Sequence, residues 1–435
     1  MKIDKKPYRG CRDLFPEDKR IQNYLFSIMQ KTAESFGYEP YDGPLLEEVE
    51  LYKAKSGEEL INDQIYAFVD RGERHVAIRP EMTPTVARMI AQIYREQPKP
   101  LRWYSIPNLM RYEKPQRGRL REHWQFNCDI FGAPENQGEL EILQIIVTLF
   151  QNFGANHAHF GIVLNDRQFV DDVFLKLMQL DDMAKHKLYK IVDRAKKVEP
   201  TKLQAMLEEL NLLPKQRDIL NDYLALKSFS DVKDFTLKFN LDQANKRFEL
   251  LTHFFEELNL NDYFSFDPSI VRGLDYYTGF VFEAFDKHPE NRRALCGGGA
   301  YGNLLEIFGE GPLAGVGFGL GDVTLRDFLE VHHLLPDFKQ SSLDFILASD
   351  IPEAHSLLLQ IAQILRKKNL NVMLVLEPTK IGKLLTLTGK HRTQFMGFIG
   401  NDEFQKKQIQ IKNLEKRTST QFTVEDLMLN SFISV

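Results

Sequence analysis

Three clusters in this 435-residue chain carry residue types that could do chemistry together. The densest runs from Arg111 to Asp129. Arg111, Arg117, Arg119 and Arg121 fall within eleven residues, with Pro115 and Gly118 marking a turn between two strand-like runs. Guanidinium forks match phosphate oxygens bidentately, so this segment reads as an anion clamp. On the returning strand Gln125 and Asp129 share a parity and therefore a face. Asp129 lies in an otherwise apolar stretch, so it is either buried with a cationic partner or lines a pocket. The second cluster, Arg79-Pro80-Glu81-Met82-Thr83, closes an apolar strand. Glu81 and Thr83, two apart, would point the same way into any cleft there; taken alone, a surface carboxylate accounts for Glu81 better. The third combines Arg272-Gly273-Leu274-Asp275-Tyr276-Tyr277-Thr278-Gly279 with Gly297-Gly298-Gly299 and Gly317-Phe318-Gly319-Leu320-Gly321. Glycines permit close backbone approach to a planar or phosphorylated ligand. The last run is no dinucleotide fingerprint, which needs GxGxxG inside a βαβ unit.

The elements that must position these clusters can be read from periodicity. Ile21, Tyr24, Leu25, Ile28 and Met29 predict a helix over 17–36 that stops at Gly37. Strands are predicted at 66–69 and 75–78, helices at 84–96 and 138–153, and a strand at 159–164. Residues 166–258 contain no glycine and carry apolar positions at three- and four-residue steps, which predicts several short helices. From Tyr263 to Gly321 the Tyr, Phe and Gly content fits antiparallel strands with tight turns. The best boundary is 332–342. Beyond it strands at 344–348, 371–376 and 395–399 alternate with helices at 352–368 and 379–388, and a hairpin follows around 409–411. That order predicts a small α/β domain.

Composition excludes several classes. With 43% hydrophobic and 27% charged residues the chain is globular rather than disordered or fibrous. No apolar run approaches the ~18 residues of a membrane span, and Met1-Lys2-Ile3-Asp4 opens no secretory signal. Cys11, Cys128 and Cys296 are too far apart for a disulfide framework, and no CxxC or HxxxH spacing points to zinc. The expectation is a cytoplasmic, multidomain protein without a structural metal. Net charge is −5, yet from residue 341 onward 12 Lys/Arg face 9 Asp/Glu, +3, leaving −8 on the rest. A mildly basic tail is compatible with a local polyanion contact.

Together the clusters resemble the histidyl-tRNA synthetase family, class II aminoacyl-tRNA synthetases, over nearly the whole chain. Phe36-Gly37-Tyr38 to Gly43-Pro44-Leu45-Leu46-Glu47 is similar to class II motif 1, and Arg111 to Asp129 to motif 2. Arg79 to Thr83 and Arg272 to Gly279 resemble the two histidine-specific signatures. The resemblance implies an α+β fold: an antiparallel sheet flanked by helices, a helical insertion and an α/β anticodon-binding domain. The implied limits are 1–165 and 259–333 for the catalytic domain, 166–258 for the insertion, and 342–435 for the anticodon domain. It further implies an enzyme, a homodimer, that activates L-histidine with ATP and Mg2+ and transfers it to tRNA(His). Glu81 would face the substrate imidazole, with Tyr276 or Tyr277 beside it. Thr83, Gln125 and Asp129 would hold the α-amino group. Arg111 and Arg272 would clamp the α-phosphate, with Arg272 also on the histidine carboxylate. Glu113 would lie near the adenine and amino-acid junction, and Arg119 would reach the γ-phosphate. Gln116 and Arg117 could meet the acceptor end of tRNA, and Lys380, Lys383, Lys390 and Arg392 its anticodon arm, though each alone suits a solvated surface.

Adenylate formation needs no general base, because a free carboxylate is already ionised at neutral pH. It needs in-line positioning of two anions and neutralisation of charge at the α-phosphorus. One departure from the family concerns motif 3, where Thr324 stands at the position of an arginine that usually stacks on adenine. Lys185, His186, Lys187 and Arg194 in the insertion could touch the acceptor arm, a solvated helix face being the simpler reading. His123 reads as structural. The alternative function is the regulatory subunit of ATP phosphoribosyltransferase, which shares the fold and binds histidine without aminoacylating.

Overall fold

A computed structural model describes residues 3–53, 63–195, 198–271, 277–291, 293–338 and 343–429. The chain forms two compact units, Met1–Leu335 and Pro336–Val435. Among the described residues no helix is long and apolar enough to cross a membrane.

The strands of the first unit are β1 (Glu39–Pro40), β2 (Leu46–Glu48), β3 (Tyr66–Val69), β4 (His75–Ile78), β5 (Leu101–Ser105) and β6 (Asn108–Met110). They continue with β7 (Glu122–Phe131), β8 (Phe160–Asp166), β9 (Phe264–Phe266), β10 (Phe280–Asp286), β11 (Ala294–Tyr301) and β12 (Gly315–Gly321). The large sheet runs β1-β5-β7-β12-β11-β10-β8-β9, with β6 also on β7, while β2, β4 and β3 form a sheet of their own. The centre of the large sheet is antiparallel, as the strand-and-turn pattern predicts. Its two ends are parallel pairs, β1 with β5 and β8 with β9.

Period-two alternation on β7 and β12 divides core from cavity. Phe126, Cys128 and Ile130 are fully buried on one face, paired in register with Leu320, Phe318 and Val316. That face packs on helix α4, defined below. On the opposite face Gln125, Asn127 and Asp129 stand across from Gly321, Gly319 and Gly317. A Cβ on Gly317 would sit 2.1 Å from Asp129 Oδ1, and one on Gly319 2.7 Å from Gln125 Nε2. The glycine alternation therefore clears a floor on which these two polar side chains lie. The neighbouring Gly298 is tighter still, since a Cβ there would meet the Gly317 carbonyl oxygen at 2.0 Å. Because backbone cannot swing aside as a side chain does, Gly298→Ala is expected to destabilise the unit by about 1–3 kcal/mol or more. Gly302→Ala, whose Cβ would have 3.5 Å of clearance from Thr278 Oγ1, should unfold within error of wild type in a urea titration that compares both variants with wild type.

The helices of this unit are α1 (Pro16–Ser35), α2 (Val49–Lys53), α3 (Thr83–Ile93), α4 (Gln137–Asn152), α5 (Arg167–Asp171) and α6 (Asp182–Arg194). After them come α7 (Pro200–Glu208), α8 (Pro214–Leu224), α9 (Phe229–Lys238), α10 (Asp242–Glu257) and α11 (Asp322–Val331). Helix α1 starts with Pro16 in its first turn and is followed by Gly37 at φ +78°, the stop and start chemistry its sequence carries. Helices α5 to α10 enclose an aromatic core in which the Phe169 ring meets Tyr223, Phe235 and Phe248 at 5.6–5.8 Å. Asp166 ends β8, caps α5 through Gln168 N at 2.9 Å, and is paired with Arg247 of α10 at 2.6 Å. One buried carboxylate thus ties these helices to the sheet edge.

In the second unit β13 (Phe345–Ser349), β14 (Val372–Leu374), β15 (Phe395–Ile399), β16 (Gln408–Asn413) and β17 (Thr418–Thr423) order as β14-β13-β15-β16-β17. The first three are parallel and the last two antiparallel. Helices α12 (His355–Lys367), α13 (Ile381–His391), α14 (Asn401–Gln405) and α15 (Val424–Leu429) cover the sheet. The last two, only five and six residues long, offer too little periodicity to be read from sequence.

Candidate active site

A cavity of about 860 Å³ opens over the floor of β7 and β12. It gathers residues from all three sequence clusters: Glu81 and Thr83, then Arg111, Glu113, Arg119, Gln125 and Asp129, then Tyr277. Residues Arg272 and Tyr276 lie outside the described residues. Thr83 begins helix α3 rather than continuing a strand, and Glu81 sits in the loop before it, so strand parity is not what brings the two together. Their loop is fixed by Arg79, which is buried and points away from the cavity. Its guanidinium donates to Asp42 at 2.6 Å, Gly43 O at 2.7 Å and Asn108 O at 3.0 Å. Arg111 in turn donates from Nε to Pro80 O at 2.8 Å, which joins the first cluster to the second.

The four-arginine clamp expected from spacing is smaller in space. Only Arg111 and Arg119 face the cavity. Arg121 points behind it, stacked 4.0 Å over Tyr112 and donating to Glu113 O and Tyr8 OH at 3.1 and 2.9 Å. Arg117 is exposed and pairs with Glu290 at 3.2 Å, and Gln116 closes the loop by a backbone pair with Arg119. Arg121 has the parity of Gln125 and Asp129 but stands before β7 begins at Glu122, so the tyrosines that enclose it, not the pleat, set its direction. Arg119 Nε lies 2.9 Å from Glu113 Oε2, an opposite-charge contact whose angle does not make a hydrogen bond.

Asp129 is the electrostatic centre of the floor. It lines the cavity and accepts a hydrogen bond from Tyr301 OH. Among the described residues no cation lies within ion-pair distance of it. Burial pushes its carboxyl up to about 7, against the hydrogen bond from Tyr301. Such a carboxyl is poised to take an ammonium group.

Other cavity residues gave little signal in the sequence. His123, read above as structural, lines the cavity; burial first, then the charges of Arg111 and Arg12, push its imidazole down to about 3, so it is neutral. His186, Tyr189, Lys190, Asp193 and Arg194 recur at helical steps along one face of α6 and form a wall. Periodicity alone cannot separate a solvated polar face from one over a cavity. The wall is anchored by Tyr189, whose OH donates to Asp171 at 3.0 Å beneath the Arg167 guanidinium at 4.0 Å. Arg167 also donates to Val271 O at 2.7 Å. Arg293 enters from the head of β11 and Thr324 from the start of α11, and neither strand nor helix pattern marks them. Asp322, beside Thr324, turns away to accept from Arg12 at 2.7 Å and Trp124 N at 2.9 Å. Lys380 and Lys383, in the second unit, are exposed at the start of α13, as are Lys390 and Arg392 near its end.

Comparison with known proteins adds to this geometry. The family model for histidyl-tRNA synthetase matches residues 10–323, and that for an anticodon-binding domain matches residues 346–429. The chain belongs to the histidyl-tRNA synthetase family. It is 40% identical to a histidine--tRNA ligase of Leptospira biflexa over 98% of this chain and 97% of that protein. To the chloroplastic/mitochondrial histidine--tRNA ligase of Arabidopsis thaliana it is 33% identical over 98% and 86%. Among solved structures, histidyl-tRNA synthetase from Nostoc sp. superposes with a TM-score of 0.77 at 24% identity, covering 98% and 99% of the two chains. A protein of Bacillus halodurans described as an ATP phosphoribosyltransferase regulatory subunit/histidyl-tRNA synthetase gives 0.75 at 20%, over 92% and 100%. At those identities the two structures show a shared fold. A histidyl-tRNA synthetase family fold thus accounts for the sheet, the insertion helices and the separate C-terminal unit.

Proposed function

We propose that this chain joins L-histidine to tRNA(His) in two steps, forming histidyl-adenylate and pyrophosphate from ATP and then transferring histidine to the 3′ end of the tRNA. The observation that carries the reading is one cavity holding a buried carboxyl, Asp129, together with the arginines Arg111 and Arg119. An amino acid presents an ammonium and a carboxylate, and ATP presents a chain of anions, so this polarity suits both substrates. Asp129, with Gln125 and Thr83, takes the α-ammonium. Glu81 takes one imidazole nitrogen and Tyr277 or Tyr276 the other; pairing both nitrogens rejects analogues that would leave buried polar groups unpaired. Arg111, with Arg272, takes the α-phosphate, and holding it beside the histidine carboxylate offsets the repulsion between two anions. Glu113 stands at the junction of adenine and amino acid, and Arg119 reaches toward the γ-phosphate. Magnesium enters with ATP as part of that substrate.

The α6 wall, with Gln116 and Arg117 on the neighbouring loop, suits the acceptor end of the tRNA, and Lys380 and Lys383 the phosphates of its anticodon arm. Exposed apolar residues Leu45, Leu46, Phe68 and Val69 cluster on the β2–β4–β3 sheet beside motif 1, which supports a homodimer. The enzyme is proposed to work in the cytoplasm. The anticodon-binding unit favours this reading over a regulatory subunit, for which no tRNA contact is needed. Charging of a tRNA(His) transcript with labelled histidine tests it. Stoichiometric acylation is expected, whereas histidine binding without acylation, from folded protein, would leave the regulatory reading.

A further inference from the structure

We infer that Arg293 is a fourth guanidinium for the ATP triphosphate, beside Arg111, Arg119 and Arg272, entering from the head of β11 rather than from the motif 2 loop. This rests on the adenylation reading above and extends it to a residue that no sequence cluster contained. Arg293 lines the cavity together with Gly118, Arg119, Glu113 and Thr324. Its position over the motif 2 loop is tight. Gly118 adopts φ +71°, a conformation that favours glycine, and a Cβ there would lie 3.2 Å from Arg293 Cδ and 3.5 Å from Thr324 Cγ2. The glycine thus lets the loop tuck under both side chains, and Arg293 and Thr324 flank one point.

The charges around that point do not balance. Arg119 and Arg293 stand near each other, and Glu113 is the carboxylate they share. Glu113 is already 2.9 Å from Arg119 Nε. Among the described residues no hydrogen bond or ion pair holds the Arg293 guanidinium. Burial, and then the charge of Arg119, lower its pKa, opposed by Glu113. An anion beside both arginines relieves that repulsion. Arginines nearby that do have structural duties look different: Arg117 is paired with Glu290, and Arg121 is enclosed by Tyr8 and Tyr112.

Thr324 cannot supply the missing charge. Its hydroxyl is engaged with backbone carbonyls, Gly321 O at 3.1 Å and Leu295 O at 3.3 Å. The Leu295 contact ties it to β11 two residues beyond Arg293, so the adjacent strand carries the cation that the head of α11 lacks. A polyphosphate end, carrying several negative charges in a row, is the anion that fits two forks of this kind. As the bond between the α-phosphorus and the departing oxygen breaks, Arg293 would neutralise charge on the pyrophosphate leaving group.

The test compares Arg293→Met and Arg293→Lys with wild type, all full length. In histidine-dependent pyrophosphate exchange, Arg293→Met is expected to raise KM for ATP roughly 10- to 100-fold while KM for histidine stays within about twofold. Arg293→Lys should recover part of the loss, since it restores a point charge without the fork. Direct binding by calorimetry separates the two ends of the nucleotide: ATP affinity should fall by a similar factor and AMP affinity should not. An unchanged KM for ATP, or equal losses for ATP and AMP, would overturn the assignment. Wild type that binds ATP but shows no exchange would instead overturn the adenylation reading, and the ATP-to-AMP comparison would still decide where Arg293 acts.

Discussion

Arg111→Ala is expected to lower the rate of histidine-dependent pyrophosphate exchange by about 10²–10³-fold, the range found when one fixed donor to a developing anion is removed. The size follows from how the side chain is held. Nε donates to Pro80 O at 2.8 Å, which fixes the plane of the guanidinium in the cavity wall before any substrate arrives. A pre-oriented fork loses little entropy on meeting a phosphate, and its charge acts where phosphorus gains electron density. Histidine binding, which the proposed function places on Asp129 and Glu81, should change by less than about threefold in the same variant. Arg111→Lys is expected to rescue poorly, because an ammonium is a point charge without the planar fork that turns one edge to Pro80 O and another to a phosphate. The split is read by comparing steady-state exchange kinetics with histidine binding measured without ATP. Equal losses in both would mean that Arg111 maintains the shape of the site and does not act on the phosphate.

Asp129→Asn carries the second large effect, and its sign depends on pH. In the folded protein burial raises the Asp129 carboxyl to about 7, above its ordinary value of 3.8. A carboxyl raised in this way favours the folded state fully below its unfolded value, and that contribution is lost as pH rises through the folded one. Wild type without ligand is therefore expected to lose stability between about pH 4 and 7, and Asp129→Asn to melt above it at pH 8. Histidine reverses the order, since its ammonium pairs with the ionised carboxylate in wild type alone. Binding must then release protons near neutral pH, and histidine affinity should rise from pH 6 to 8. The ligand imidazole also titrates there, but it does so equally for the variant, so the difference between the two proteins isolates Asp129. The expected loss of affinity in the variant at pH 8 is about 100-fold, the scale of a charge-assisted pair left unmade in a buried site. Calorimetry in two buffers of different ionisation enthalpy reads both affinity and protons released. No difference in proton release between the proteins would remove Asp129 from the ammonium site.

What was legible in the sequence follows the physics of each signal. Strands 66–69 and 75–78 were readable to the residue because β-branched and aromatic side chains end against polar turns. The shared face of Gln125 and Asp129 was readable because a strand has a strict period of two, and the opposing glycines of β12 complete the same floor. Where period is lost, reading fails. Proximity along a loop groups Arg121 with Arg111, yet Arg121 stacks on tyrosines behind the site. Their spacing of two puts Glu81 and Thr83 at one strand end, yet a helix start and a loop bring them together. The polar face of α6 was visible as a pattern, but nothing in a pattern says whether water or a cavity lies opposite. Arg293 depends on pairing between distant strands, which is a tertiary fact, whereas His123 has the parity of Gln125 and Asp129 and the same period of two places it on their face.

Exchange of labelled pyrophosphate into ATP, run without tRNA and with each amino acid in turn, tests the proposed reaction most directly, with Arg272→Ala as companion. Exchange with histidine alone, collapsing in the variant, is expected. Folded protein that binds histidine and ATP but exchanges no pyrophosphate would contradict adenylation by this cavity.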